Sequence, residues 1–304
     1  MLERELTMKN KLCLGTVQLG TKYGIKNAIG RQPTDEESFK VLQMAIESGV
    51  EYFDTASIYG NAEELLGRFH IGDYPVKVIS KLSPGTAESE YEVLQKIEKS
   101  LQSLNMNSLD GYMLHDATEF YQPFIVKGLC EAKRQGLVQH IGVSIYEPED
   151  ALAAVKSRWV DYIQIPYNVL DQRLNKTDFF EIAEKQDIKV FARSCFLQGL
   201  LLMDTENVPE YLTAARPYLE EFNHIIKKYG YSKIEAAFLF SYTNKDIYRV
   251  VFGVDTALQL ETNLNIVKKA ESFAACYVAL QGRFLDVERK VIIPSLWNKR
   301  EALK

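Results

Sequence analysis

The sequence predicts an α/β protein built as a single (β/α)8 barrel, or TIM barrel, domain. Eight short runs rich in Val, Ile, Phe and Tyr alternate with stretches of helical periodicity over roughly 250 residues, the usual size of this barrel. No shift of composition divides the 304 residues, and no glycine-rich dinucleotide turn follows the first run, so an open doubly wound sheet fits less well. We expect the barrel over about residues 11–270 and a C-terminal tail, 271–304, that packs on or near it.

Strands and helices are predicted from the period of the apolar residues. The strands are predicted at Leu12–Val17, Tyr52–Thr55, Val76–Lys81, Leu109–Leu114, His140–Ser144, Tyr162–Pro166, Val190–Arg193 and Arg249–Gly253. The helices are predicted at Asp35–Gly49, Glu90–Asn105, Phe120–Gly136, Pro148–Arg158, Asp178–Gln186 and Ser232–Thr243. Between Ser194 and Ser232, a longer polar and aromatic stretch predicts an extra helix and loop over the barrel mouth.

Composition and charge exclude several classes of function. Lys and Arg number 36 against 41 Asp and Glu, and the resulting formal net charge of -5 disfavours nucleic acid as a partner. No run approaches the roughly 18 apolar residues of a membrane span, and the N-terminus has no signal-peptide core. The four cysteines lie far apart and no histidines cluster, so neither a metal site nor a disulfide scaffold is expected. We therefore predict a cytoplasmic protein that acts on a small molecule, and we make no prediction about its oligomeric state.

Four polar residues stand at or just past the ends of predicted strands: Asp54, Tyr59, Lys81 and His115. Each has a structural explanation by itself, as a helix cap, a packing residue, a solvent-exposed amine or a structural histidine. The carboxyl ends of barrel strands meet at one rim, so together they bring a carboxylate, a phenol, an ammonium and an imidazole to one place. This joint occurrence favours a catalytic group.

The chemistry of this group suits the reduction of a carbonyl. A tyrosine becomes a useful proton donor at neutral pH when a nearby ammonium favours its phenolate. We expect Lys81 to supply that charge to Tyr59 and Asp54 to orient Lys81 through an ion pair. His115 would orient the substrate carbonyl or share in proton transfer.

On these residues the sequence resembles the aldo-keto reductase superfamily. The resemblance is carried by FDTASIYGNAEELLG (Phe53–Gly67), SKL (Ser80–Leu82) and MLHD (Met113–Asp116), and it extends from LCLGTVQLG (Leu12–Gly20) to LQLETNL (Leu258–Leu264). It implies a catalytic tetrad of Asp54, Tyr59, Lys81 and His115 and an NADPH cofactor extended across the barrel mouth. The segments LGTVQLGTKYGI (Leu14–Ile25) and FLQGLL (Phe196–Leu201) look like those of bacterial members from surface-polysaccharide clusters.

The resemblance also implies a set of cofactor-binding residues. They are Gly15, Thr16, Asp54, Ser144, Gln164, Tyr167, Ser194, Phe196, Gln198, Gly199, Gly253, Asp255, Thr256, Gln259 and Asn263. In this reading, Ser144 and Gln164 hold the nicotinamide amide and Tyr167 stacks on the ring. The segment from Ser194 to Gly199 lies near the pyrophosphate.

Two positions depart from the pattern of the family. No basic residue falls between Gly253 and Asn263, where many members place Ser, Lys or Arg around the 2′-phosphate, and this chain has Asp255 there. A carboxylate repels a phosphate but accepts hydrogen bonds from a ribose diol, so NADH is an alternative to NADPH. The second departure is Arg193, which would meet an anionic substrate or the pyrophosphate, or form a salt bridge at the rim.

The sequence therefore predicts an NAD(P)H-dependent oxidoreductase of the 1.1.1 class. It would reduce an aldehyde or ketone, with a sugar or nucleotide-sugar carbonyl as candidate substrate and Tyr59 as proton donor. One alternative is a nucleotide-binding regulatory subunit that keeps the reductase fold with little turnover, although all four tetrad positions are retained. A second is an isomerase or lyase that forms a Schiff base on Lys81.

Overall fold

The computed structural model describes residues 11–25 and 27–297. Eight parallel strands close into a barrel in sequence order, with β1 paired to both β2 and β8. The strands are β1 Leu12–Gly15, β2 Tyr52–Asp54, β3 Lys77–Leu82, β4 Leu109–Leu114, β5 Val138–Ser144, β6 Tyr162–Pro166, β7 Lys189–Arg193 and β8 Arg249–Gly253. Every predicted strand is present within two residues of its predicted bounds, so the prediction of a (β/α)8 barrel is confirmed.

Helices separate the strands along the chain. They are α1 Val17–Gly20, α2 Asp35–Glu47, α3 Ala62–Arg68, α4 Glu90–Leu104, α5 Pro123–Arg134, α6 Pro148–Lys156, α7 Phe179–Lys185, α8 Arg216–Lys228, α9 Lys233–Thr243, α10 Ala257–Val267, α11 Ala274–Leu280 and α12 Arg289–Ile292. Six of them coincide with predicted helices, and α2 begins with a capping box between Thr34 and Glu37. The helix predicted at Phe120–Gly136 begins later, at Pro123, because proline fits the first helical turn, where its missing N–H is not needed.

The interior of the barrel is filled by a layer of buried side chains below the site. Seven strands contribute to it, with Cys13, Tyr52, Ile79, Met113, Tyr162, Phe191 and Val251. A larger cluster takes the alternate strand positions, such as Leu14, Phe53 and Val78, and forms the core around the barrel. Because successive strand side chains point to opposite faces, the residue two places after each interior residue faces inward again. The inner layer thus determines which residues stand above it at the carboxyl ends of the strands.

The stretch between Ser194 and Ser232 forms short 3-10 turns followed by the extra helix α8. The tail continues through α11 and α12 to a 3-10 turn, Pro294–Leu296, after which Trp297 donates its indole N–H to the carbonyl of Val291 at 3.2 Å. The rest of the predicted tail, residues 298–304, lies outside the described residues. In the part of the chain that the structure describes, no helix has the length and apolar character needed to cross a membrane.

Candidate active site

The site is the layer of residues directly above the interior cluster. Two places after the members of that cluster stand Gly15, Asp54, Lys81, His115, Gln164, Arg193 and Gly253. All of these except Lys81 line one cavity of about 530 Å³ at the carboxyl ends of the strands. That volume lies within the roughly 300–1,000 Å³ typical of small-molecule sites. The alternation of side chains along the strands therefore places these residues together at the carboxyl ends of the strands.

Asp54 and Lys81 form a buried ion pair under the cavity. The Lys81 ammonium donates to both carboxylate oxygens of Asp54 at 2.7 Å and to the carbonyl of Thr55 at 2.9 Å. Lys81 is 0% exposed and Asp54 is 2% exposed. The amide of Gln164 also donates to Asp54, at 2.7 Å. All three ammonium hydrogens therefore have acceptors, which fixes the position of the charge.

Tyr59 reaches this layer from the loop between β2 and α3. The loop packs against α1 so closely that a methyl group at Gly20 would overlap the carbonyl oxygen of Tyr59. The ring of His115 stands at 85° to that of Tyr59, with centres 5.5 Å apart, and Lys81 Nζ lies 5.2 Å from the centre of the Tyr59 ring. The structure thus brings together the four residues predicted to be catalytic.

Burial determines the protonation of Tyr59. Burial raises the pKa of Tyr59 well above its ordinary value, the Asp54 carboxylate raises it further, and Arg193 opposes both effects. The Lys81 ammonium, which we expect to favour the phenolate, is itself paired with Asp54. Tyr59 is consequently a phenol that holds its proton at neutral pH, as a proton donor must.

His115 is an uncharged imidazole at neutral pH. Burial lowers its pKa from 6.5 to about 3, and the positive charges of Lys81 and Arg193 act in the same direction. The Nδ1 atom of His115 is buried without a hydrogen-bond partner among the described residues. Because His115 lines the cavity and its ring is neutral, the ring can hydrogen-bond a substrate oxygen.

The low pKa of His115 predicts a loss of stability in acid. Between pH 6.5 and pH 3 the unfolded chain protonates His115 and the folded chain does not, so stability is full above pH 6.5 and falls as the pH is lowered. At pH 5 the loss from this residue is up to about 2 kcal/mol. Urea unfolding at pH 7 and pH 5 tests this, because His115→Gln should show a correspondingly smaller drop. Equal drops in the two proteins would contradict an uncharged His115 in the folded protein.

Most of the predicted cofactor residues line the cavity, and three do not. The lining residues are Gly15, Asp54, Ser144, Gln164, Ser194, Phe196, Gln198, Gly199, Gly253, Asp255, Gln259 and Asn263. Thr16 instead donates to the carbonyl of Asp54 at 3.1 Å, and Thr256 caps α10 by accepting from Gln259 N at 3.3 Å. Neither threonine lines the cavity, but each is hydrogen-bonded to a residue that does.

Tyr167 is the third exception and a correction to the sequence interpretation. Its side chain is 1% exposed and packs parallel to Phe240, with ring centres 5.6 Å apart. Asn175 donates to its hydroxyl at 3.3 Å. The ring belongs to the core around the barrel and is not part of the cavity lining, so it cannot stack on a ligand in the cavity.

Arg193 enters the cavity and forms no ion pair with any described residue. Its guanidinium lies 4.0 Å from the centre of the Tyr146 ring and donates to the carbonyl of Ile145 at 3.0 Å and to Ser194 Oγ at 3.3 Å. The rim salt bridge considered from the sequence is therefore not formed. Sequence reasoning missed Tyr146, although it stands two residues beyond the strand-end residue Ser144 and the period of two would have found it.

The cavity wall suits a nicotinamide dinucleotide in two respects. Buried oxygen atoms of Gln18, Gln164 and Asn263 on the wall lack hydrogen-bond partners among the described residues, so they are free to accept from amide or hydroxyl groups. After β7, Gln198 and Gly199 take left-handed backbone angles, with φ of 52° and 96°, and Gly199 leaves room for a ligand at the wall. Within the described ranges, no group of three or more His, Cys, Asp and Glu side chains is placed to hold a metal ion.

Comparison with known proteins gives a family match over most of the chain. A sequence model described as "Aldo/keto reductase family" matches residues 11–277. The uncharacterized oxidoreductase YqkF of Bacillus subtilis is 27% identical over 201 residues, which cover 62% of this chain and 61% of that protein, under two thirds of its length. L-galactose dehydrogenase of Arabidopsis thaliana is 25% identical over a stretch that covers 85% of this chain and 84% of that protein. The holo form of aldo-keto reductase AKR11C1 from Bacillus halodurans has the same fold, with a TM-score of 0.72 at 18% identity over 91% of this chain and 95% of that one.

Proposed function

Because the chain belongs to the aldo/keto reductase family, we propose that it is a nicotinamide-dependent oxidoreductase that reduces an aldehyde or ketone to an alcohol. One observation carries this proposal: a protonated, half-buried Tyr59 and a neutral His115 face the same cavity directly above the Asp54–Lys81 ion pair. This arrangement provides a proton donor and a hydrogen-bonding group for one oxygen atom.

Each residue near the carbonyl oxygen of the substrate has a separate role in the proposed proton transfer. The bound dinucleotide would supply the hydride. Tyr59 gives its proton to the carbonyl oxygen, and the ammonium of Lys81, 5.2 Å from the ring centre, then stabilises the phenolate that remains. His115 orients the carbonyl through a hydrogen bond, and Asp54 keeps Lys81 in position. Lys81 is thereby committed as a buried ammonium, which disfavours its use as a Schiff-base nucleophile.

The cavity residues also suggest how the dinucleotide is held. Gln164 would accept a hydrogen bond from the nicotinamide amide, because Asp54 fixes its Nε2 and leaves its Oε1 free. The turn from Ser194 to Gly199 would meet the pyrophosphate, and Asn263 the adenosine end. We propose NADPH as the cofactor, with NADH as the competing candidate because no basic residue lies between Gly253 and Asn263.

The substrate is proposed to be a small carbonyl compound, with a sugar or nucleotide sugar as the first class to test. The rings of Tyr23 and Tyr146 line the same cavity as Tyr59, and the apolar faces of sugars pack on aromatic rings of this kind. The similarity to a protein named L-galactose dehydrogenase supports the same class. Pro294 and Ser295, in the 3-10 turn near the C-terminus, also line the cavity.

A fluorescence titration of the full-length protein with NADPH and with NADH tests the proposal first. We expect both nucleotides to bind in the micromolar range or tighter, and the tighter one identifies the cofactor. Absence of binding by either nucleotide would refute the proposed function. Oxidation of the bound nucleotide is then followed with a panel of aldehydes, ketones and aldoses. Binding without any oxidation would favour a regulatory subunit over an enzyme.

A further inference from the structure

The wall of the cavity carries a positive charge that is not paired. Among the described residues that line the cavity, Arg193 is the one Lys or Arg, and no described carboxylate lies within 4.0 Å of its guanidinium. The two acidic residues of the lining already have donors, since Asp54 pairs with Lys81 and Asp255 accepts from the side chain of Asn27. A ligand in this cavity therefore meets a guanidinium whose charge it can neutralise.

The guanidinium of Arg193 is held in one place. It donates to the carbonyl of Ile145 at 3.0 Å and to Ser194 Oγ at 3.3 Å, and it lies 4.0 Å from the centre of the Tyr146 ring. A guanidinium has five N–H groups, so three of them have no acceptor among the described residues. Carboxylate and phosphate oxygens are the acceptors that match the planar fork of such a group, and the resulting bonds are charge-assisted.

The position of the guanidinium favours the substrate over the pyrophosphate of a nucleotide. Arg193 ends β7, and β6 separates β7 from β5. To reach the carbonyl of Ile145, just after β5, the guanidinium crosses the carboxyl end of β6 and approaches β4, which precedes His115. Gln198 instead contacts the loop after β1, and Asn263 lies on α10, after β8. The proposed pyrophosphate and adenosine residues thus lie on the other side of β7.

The charge of Arg193 acts on the two groups proposed to contact the carbonyl oxygen. Burial lowers the pKa of His115 to about 3 and raises that of Tyr59, and at both groups the charge of Arg193 acts to lower the pKa. Tyr59 and His115 are neutral, and the charges of Asp54 and Lys81 cancel. The positive potential at the reacting carbonyl therefore comes mainly from Arg193, and it attracts an anion to this end of the cavity.

We propose that Arg193 is a substrate-binding residue that recognises an anionic group, a carboxylate or a phosphate, carried by the carbonyl compound. The inference rests on the proposed function, in that Tyr59 and His115 bind the carbonyl oxygen. It narrows the proposed substrates to carbonyl compounds with an anionic group, such as a phosphorylated or nucleotide-linked sugar. An uncharged aldehyde leaves the three free N–H groups of Arg193 without an anionic acceptor.

Matched charged and neutral aldehydes test the proposal with the full-length protein. Succinic and glutaric semialdehyde are compared with butanal and pentanal for a carboxylate, and glyceraldehyde 3-phosphate with glyceraldehyde for a phosphate. We expect the charged members of at least one set to have a kcat/KM roughly 10- to 100-fold above that of their neutral partners, chiefly through KM. The set with the larger ratio identifies the anion.

Replacement of Arg193 by glutamine should remove this preference. We expect Arg193→Gln to bring the ratio close to one and to change kcat/KM for the neutral aldehydes by less than about threefold. Arg193→Lys keeps the charge but loses the planar fork, so it should keep part of the preference. The control is Arg134→Gln, which removes an exposed guanidinium from the end of α5, just before β5 begins and so at the opposite end of the barrel from the cavity.

The affinity for nucleotide separates the substrate from the pyrophosphate. Fluorescence titration should give Arg193→Gln the wild-type affinity for NADPH and NADH within about threefold. A loss of tenfold or more in this affinity, with the preference for charged aldehydes intact, would assign Arg193 to the pyrophosphate and overturn the proposal. Equal kcat/KM for charged and neutral aldehydes in the wild type would also overturn it.

Calorimetric titration of the nucleotide-free protein with succinate and with inorganic phosphate gives a measurement that needs no turnover. We expect at least one of them to bind in the millimolar range or tighter, and about tenfold more weakly to Arg193→Gln than to the wild type or to Arg134→Gln. If the wild type binds neither nucleotide but shows this pattern, the proposed function fails and the anion site stands. If aldehydes are reduced while this pattern and the kinetic preference are both absent, the proposed function stands and the role of Arg193 is overturned. If Arg193→Gln does not fold, the partial loss expected of Arg193→Lys decides by the same measurements.

Discussion

Replacement of Tyr59 by phenylalanine is expected to lower the rate of carbonyl reduction by about 10³-fold and to leave nucleotide affinity nearly unchanged. The substitution keeps the ring that packs against His115 and removes only the proton that the carbonyl oxygen receives. Burial keeps that proton on Tyr59, so no pH in the ordinary working range converts the donor into a phenolate beforehand. The loss should therefore appear in kcat and be similar across neutral pH.

Single-turnover reduction with bound nucleotide, together with the fluorescence titration, measures the two parts of this prediction. Tyr146→Phe is the matched control, because it also removes a phenol from the cavity wall while keeping the ring on which Arg193 lies. We expect the control to retain activity within about tenfold. Turnover by Tyr59→Phe at the wild-type rate would exclude Tyr59 as the proton donor.

Replacement of Lys81 by methionine is expected to cost about 3–5 kcal/mol of folding free energy at pH 7. Methionine fills much of the same volume but leaves the Asp54 carboxylate buried without a cation, with Gln164 as its remaining side-chain donor. Equilibrium urea unfolding of the protein without added nucleotide measures the change. We attribute this cost to the loss of one partner from a buried ion pair, because exposed ion pairs contribute little to the free energy of folding.

Two further variants separate charge from packing at this position. Lys40→Met breaks the exposed ion pair with Glu36 and should cost less than about 1 kcal/mol. Adding Asp54→Asn to Lys81→Met removes the unpaired charge and should recover part of the stability. A loss below about 1 kcal/mol for Lys81→Met alone would show that Asp54 is not left as a buried, unpaired carboxylate.

The sequence by itself determined the barrel and most of the rim. Strand positions follow from short apolar runs, which are local features, and the period of two then decides which residues face inward at the strand ends. Asp54, Lys81 and His115 were found because each lies at or just beyond the end of a strand whose bounds the sequence predicts, whereas Gln164 was implied by the resemblance to the family. Tyr59 was found because it lies in the short loop that follows the strand carrying Asp54.

The tertiary structure decided what each of these groups does with its partners. Tyr167 follows a strand end like the others, yet its ring packs on Phe240 in the core. Asp255 accepts a hydrogen bond from the side-chain amide of Asn27, 228 residues away in the sequence, a contact that no local pattern predicts. Protonation likewise depends on burial in the folded barrel, which raises the pKa of Tyr59. Local periodicity fixes the side of a strand on which a residue lies, whereas hydrogen-bond partners and desolvation depend on chain segments that meet only when the barrel closes.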